Sequence, residues 1–207
     1  MILKRCAVSL LIGCLLAGIA AASNASQTPL NTVKERIDQI ITILNDPTYK
    51  TPGQKGTQRD KIWEISQPMF DFQEISRRTV GPKWDIFSET EKEQFTTVFA
   101  AFLGNTYIDK IQGEYHNEQI VYLKELVKEP LALVRTKLVR ESVEIPIDYR
   151  MRWNDSQWKI YDILVENGVS LVQNYRVQFR SILEKEPPAE LIRRLEEKLR
   201  EQKQTVQ

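Results

Sequence analysis

His116 is the one histidine among 207 residues, and it falls in the polar connection Glu114-Tyr115-His116-Asn117, where a solvated side chain is expected. A single imidazole supports neither a catalytic triad nor a metal cluster built on histidines. The eight glycines show no phosphate-cradling spacing. Carboxylate pairs are present, but Glu89 with Glu91 and Glu196 with Glu197 read as solvated charge on polar helix faces. Asp71 and Glu74 beside Arg77 and Arg78 have the residue types for acid–base work, yet local ion pairing accounts for them more simply. Cys6 and Cys14 are the two cysteines of the chain. Nothing in this inventory assembles a reaction centre, and no enzyme activity is expected.

Both cysteines fall in a segment that reads as a secretory leader. Lys4 and Arg5 precede an apolar run from Ala7 to Ala22, followed by Ser23-Asn24-Ala25-Ser26. That run is short for a bilayer span of about 20 residues. Cleavage fits after Ala22 or Ala25, and Ala25 is preferred, giving a leader of residues 1–25 and a single mature domain over 26–207. Two other readings fit the same residues. Leu11-Ile12-Gly13-Cys14 resembles the motif at which a cysteine is acylated, and an uncleaved anchor would retain the apolar run. After cleavage the chain has no disulfide, thiol nucleophile or cysteine-bound metal. Removing Lys4 and Arg5 from 29 basic residues leaves them one short of the 28 acidic ones, a net charge of about −1. The basic residues are interspersed with acidic ones, so the clustered footprint of a nucleic-acid binder is missing.

The pattern of apolar residues supplies the elements. Val33, Ile37, Ile40, Ile41 and Leu44 predict an amphipathic helix over 31–45, and a loop is expected over 46–58 from Pro47, Pro52, Gly53 and Gly56. Short helices are expected around Ile62 and Ile65, and from Phe70 to Val80, where Gly81-Pro82 closes the second. Ser88 with Glu91 makes a capping box ahead of a stripe running from Phe95 to Ile111. Four strands follow at 120–127, 131–139, 143–153 and 158–165, with Asn154-Asp155-Ser156-Gln157 as the last hairpin turn. In the third, Tyr149, Met151 and Trp153 alternate with Asp148, Arg150 and Arg152. In the fourth, Ile160 and Leu164 are assigned to one face, and Tyr161, Ile163 and Val165 to the other. Helices resume at Leu171 and after Pro187-Pro188, ending in a polar tail from about residue 200. Helices, then an antiparallel meander, then helices predict an α+β fold, with a curved sheet of about four strands packed on helices and enclosing an apolar cavity.

Three segments then carry a family likeness: Phe70-Asp71-Phe72-Gln73-Glu74-Ile75-Ser76-Arg77-Arg78-Thr79-Val80-Gly81-Pro82-Lys83-Trp84, the stretch Phe95 to Tyr107, and Tyr161-Asp162 through Gly168-Val169-Ser170 to Tyr175-Arg176. Together they resemble the MlaC family, also known as toluene-tolerance auxiliary proteins. Asn167, between Glu166 and Gly168, departs from the commoner Glu-Gly-Val-Ser order. The resemblance implies a periplasmic phospholipid carrier. Such a carrier works between an inner-membrane ABC transporter with an MCE-domain subunit and an outer-membrane lipoprotein complex, and so maintains outer-membrane lipid asymmetry. A monomer with phospholipid as cargo, no cofactor and no metal is expected. Exposing acyl chains costs about 0.8 kcal/mol per CH₂, so the tails need a dry lining. The residues expected to provide it are Ile75, Val80, Trp84, Phe99, Leu103, Tyr107, Tyr149, Met151, Ile163, Val169 and Val172. Arg150, Arg152 and Glu166 are the expected partner-docking charges. A hopanoid or other lipid is the rival cargo. A protein-binding adaptor or chaperone, or an enzyme on a similar scaffold, represents the rival classes.

Overall fold

Thr28 caps the first helix, its hydroxyl accepting from the Asn31 N–H, and Pro29 occupies the first turn, where its missing N–H costs nothing. The structure, a computed structural model, describes residues 28–205 except Pro52 and Asn167, and omits the side chains of Lys203 and Thr205. The leader with its two cysteines, and the Asn167 insertion, lie outside the described residues. Helix α1 runs Pro29–Asn45, α2 Lys55–Ser66, α3 Phe72–Val80 and α4 Glu89–Glu114. Strands β1 Gln119–Lys128, β2 Leu131–Arg140, β3 Val143–Asn154, β4 Gln157–Val165 and β5 Val169–Ser170 follow, then α5 Leu171–Leu183 and α6 Pro188–Thr205.

Local chemistry explains most of these boundaries. Asp71 caps α3 through the Glu74 N–H, and Gly81 ends it at φ 68°, a left-handed value that suits glycine. The Ser88–Glu91 capping box opens α4 as the sequence predicts. Three boundaries differ from expectation. Helix α2 starts at Lys55, inside the expected loop, because Gly56 sits in its first turn, where glycine is tolerated. The expected polar tail is helical to Thr205, and Gln202 reaches back to donate to the Thr106 hydroxyl at 2.8 Å. Val169 and Ser170 add a short fifth strand beside β4.

The sheet is an antiparallel meander in the order β1-β2-β3-β4-β5. Its register corrects one assignment. Arg150 faces Asp162, but Met151 faces Ile160, so Tyr161 is an extra residue in a bulge. Ile160 and Ile163 therefore share a face with Met151 and Tyr149, instead of falling on opposite faces as strict alternation implies. Helix α1 covers this face through Val33, with Leu30 and Ile37 beside it. Helices α3, α4, α5 and α6 pack together as a second layer. Among the described residues no helix is long and apolar enough to cross a membrane.

Candidate functional site

The apolar residues form two layers. In the helical layer, the rings of Phe95, Phe99, Tyr175 and Phe179 meet at centroid distances of 5.1 to 5.7 Å, mostly edge to face. Each such pair contributes about 0.5–1.5 kcal/mol beyond burial. Ile75, Val80, Leu103 and Val172 are buried in the same cluster and Trp84 packs against it. The sheet layer consists of Val134, Tyr149, Met151, Trp158 and Ile160 with Val33 and Met69, and Ile163 beside them. Burial there pushes the Tyr149 hydroxyl up to about 12, so the phenol stays neutral in an apolar setting. Phe70 packs against both layers and bridges to Ile160 of β4.

The eleven residues expected to meet acyl chains are thus divided. Six of them, Ile75, Val80, Trp84, Phe99, Leu103 and Val172, belong to the helical layer, and three, Tyr149, Met151 and Ile163, to the sheet layer. Tyr107 and Val169 stand apart, at 37% and 61% exposure. Two open grooves flank these layers. One, of about 530 Å³, is bordered by Tyr49, Lys50, Thr51, Lys55, Gln58 and Gln112. The other, of about 510 Å³, runs over Phe102, Tyr175, Phe179, Leu191 and Leu195 between α4, α5 and α6, with Arg194 and Lys198 at its rim.

The polar residues of the three sequence segments join the layers. Asp162, 4% exposed, accepts from Arg150 Nη1 at 3.1 Å, Ser170 Oγ at 2.8 Å and the Val172 N–H at 3.1 Å. One carboxylate thereby ties β3, β5 and the first turn of α5 to β4. Asp71 does the same for α3. Besides capping that helix, it accepts from Asn154 Nδ2 at 3.1 Å, and its N–H donates to the Ile160 carbonyl at 2.9 Å. Arg176 donates to the Arg78 carbonyl through Nε at 2.7 Å and Nη2 at 2.5 Å, fastening α5 to the end of α3. Glu74 accepts from Arg77 and Arg78 and pairs with Arg152 Nη1 at 3.3 Å. Burial would raise its carboxyl, but the two arginine hydrogen bonds outweigh that and hold it below the usual range. Asp71, Asp162 and Arg176 are legible in the sequence as motif members only: Asn154 lies 83 residues from Asp71 and Arg78 lies 98 from Arg176, while Asp162 meets Ser170 and Val172, 8 and 10 residues on, through a turn whose geometry the pattern does not contain.

Arg150 and Arg152 lie on the face opposite Tyr149 and Met151, as alternation predicts, and both are engaged with buried carboxylates. Asp148, on the same face, pairs with Arg135 at 3.4 Å. Glu166 is exposed in the turn between β4 and β5, with φ 54° and its N–H on the Pro146 carbonyl. Among the described residues no group of three or more His, Cys, Asp or Glu could hold a metal ion.

The model of the MlaC protein family matches residues 34–197. The chain belongs to the MlaC family. That match spans α1 to α6 and includes all three sequence segments. Among solved structures, the chain resembles a phospholipid-binding protein from Ralstonia solanacearum, solved in complex with a phospholipid. The TM-score is 0.70 at 23% identity, covering 83% of this chain and 96% of that one. The likeness shows a shared fold, the antiparallel sheet packed on helices. No curated protein matches the sequence significantly.

Proposed function

We propose that this MlaC-family chain is a phospholipid carrier, exported to the periplasm, that moves lipid between an inner-membrane MCE-containing ABC transporter and an outer-membrane lipoprotein complex. Family membership over 34–197, with the fold of a protein known in complex with a phospholipid, is the observation that carries the reading. The division of apolar residues into two layers joined at Phe70 supplies a mechanism. Acyl chains enter between the sheet layer and the helical layer and replace the contacts the two make with each other. The headgroup stays at the solvent edge. Each buried CH₂ contributes about 0.8 kcal/mol, so the tails supply the driving force and no cofactor or catalytic group takes part.

Docking by charge fits a shuttle that must leave each partner quickly, because rim charges set encounter rate and selectivity more than residence time. Of the three docking residues expected from sequence, Glu166 is the exposed one. Arg150 and Arg152 would have to contribute while still paired to Asp162, Asp71 and Glu74. The deciding experiment is mass spectrometry of lipid extracted from protein purified from a bacterial periplasm without detergent. Close to one glycerophospholipid per chain is expected. Lipid-free protein that also takes up no phospholipid from vesicles overturns the reading, and a hopanoid or a bound polypeptide would favour the rival cargoes.

A further inference from the structure

The end of the sheet where β1 turns into β2 is apolar on both faces. Val127 is partnered with Ala132, which lies on the face covered by α1, and Trp153 extends the line of Tyr149 and Met151 on that same face. Leu126 and Leu131 lie on the opposite face, in register with Leu133 and Arg152. The exposures of these four, 50% for Leu126, 48% for Val127, 43% for Leu131 and 44% for Trp153, are high for such side chains on one hairpin end. The tip is held in shape: the Trp153 N–H donates to the Pro130 carbonyl at 2.8 Å, and the Trp153 and Trp158 rings meet edge to face at 5.4 Å.

A protein partner with a flat surface would cover one face of such a sheet end and leave the other wet. A bilayer interface surrounds an inserted edge and covers both. Tryptophan is the side chain best suited to that interface, and lysines beside an apolar tip reach headgroup phosphates while their stems lie on apolar surface. Lys124 and Lys128 are exposed and make no ion pair among the described residues. Of the two neighbouring carboxylates, Glu125 is turned inward, accepting from the Leu30 N–H at 2.7 Å, and Glu129 remains outside. Asp155, in the turn beyond Trp153, is balanced by Lys159 at 3.7 Å, so the remaining outward charge on the β1–β2 end is two lysines against one glutamate, which complements an anionic lipid surface.

We infer that the β1–β2 tip, with Leu126, Val127, Leu131 and Trp153 as the inserting side chains and Lys124 and Lys128 as headgroup contacts, docks this protein on the surface of an anionic bilayer. The tip lies outside the two packed layers, so the inference stands whether or not a lipid occupies the protein. The test is flotation with vesicles of phosphatidylethanolamine and phosphatidylglycerol, 3:1, at excess lipid and low ionic strength, with lipid content of the unbound protein measured in parallel. Co-flotation is expected to fall at least fivefold in Leu126→Ser/Leu131→Ser and in Lys124→Glu/Lys128→Glu, with melting temperatures unchanged. Bromine-labelled acyl chains should quench the wild-type fluorescence, and Trp153→Phe should abolish that quenching although three other tryptophans remain. Wild-type protein that stays off the vesicles, or variants that bind them equally well, overturns the inference. So does concentration-dependent dimerisation lost in Leu126→Ser/Leu131→Ser, which would give the tip to a second copy. Loss of lipid cargo with flotation intact would count against the carrier reading alone.

Discussion

The Asp162 carboxylate receives the Val172 N–H at 3.1 Å, joining β4 to the first turn of α5 across the β5 turn. The same two oxygens serve Ser170, which itself caps α5 through the Gln173 N–H, and Arg150 from the neighbouring strand. The Tyr-Asp and Gly-Val-Ser halves of the sequence segment are thus two ends of one hydrogen-bonded joint.

Asp162→Ala should therefore destabilise the fold by about 2–3 kcal/mol, because a buried N–H and an arginine lose their acceptor together. Arg150 is 45% exposed on its side chain, so water takes over part of its loss. Arg150→Ala should cost less than Asp162→Ala, since Ser170 and Val172 still satisfy the carboxylate. Urea unfolding of the two variants checks the order, and equal losses would assign the joint to the ion pair alone.

Glu74 gives the protein a pH dependence of known sign. Its carboxyl is held below the usual range in the folded state, with the cost of burial outweighed by Arg77 and Arg78. The stability it contributes is present above the unfolded value near 4.5 and is lost as pH falls through the folded one. Chemical unfolding between pH 6 and pH 3 should show a falling midpoint, and Glu74→Gln should flatten that slope while lowering stability at pH 6. An unaltered slope would place the acid sensitivity in other carboxylates such as Glu118, which is also held low.

Gly104 of α4 packs directly beneath the Trp63 ring of α2. A Cβ there would lie 2.5 Å from the Trp63 ring, closer than carbon atoms can sit. Gly104→Ala gains about 1 kcal/mol of helix propensity but must displace the indole, at a cost of about 1–3 kcal/mol. A lowered melting temperature with a red-shifted tryptophan emission is expected. A raised melting temperature would mean that the indole moves aside freely.

Much of this architecture was legible because local rules set it. Ser88 and Glu91 announce α4, Gly81 ends α3, and strand alternation puts Tyr149 and Met151 opposite Arg150 and Arg152. Strict alternation then failed at Tyr161, since a bulge is set by register with the neighbouring strand, which one strand's pattern does not contain. Trp153 shares a face with Tyr149 but is 44% exposed, because the sheet extends beyond the helix that covers it. Asp71 and Arg176 act across the chain, at separations of 83 residues for Asp71 with Asn154 and 98 for Arg176 with Arg78. No local pattern encodes those contacts. Nine of the eleven apolar residues named for a lipid lining are buried or partly buried, with Tyr107 and Val169 the exceptions, but periodicity alone does not divide those nine between two layers.

Filling the helical layer should discriminate lining from ordinary core. Leu103→Trp adds bulk where Leu103 is 6% exposed, and overpacking costs about 1–3 kcal/mol. If acyl chains lie against this residue, lipid per folded chain should drop well below the wild-type value. Normal loading of whatever protein folds would leave Leu103 as core packing only.

Phe70 offers the sharpest test of how the layers part. It is partly buried, touches the sheet layer and the helical layer, and bridges to Ile160 at the seam. In the proposed cycle acyl chains replace contacts between the layers, so contacts that Phe70 makes across the seam stabilise the lipid-free form and compete with loading. A protein whose binding-competent form is scarce binds with an affinity reduced by that fraction. Phe70→Ala should lower the stability of lipid-free protein, yet tighten apparent phospholipid affinity. A loss of about 1–2 kcal/mol from the closed form corresponds to roughly 5- to 30-fold. Partitioning of a fluorescent phospholipid between vesicles and protein, with urea unfolding of the delipidated form, measures both quantities. Stability and affinity falling together would mean that Phe70 contacts survive in the loaded protein and that the layers do not separate at this seam.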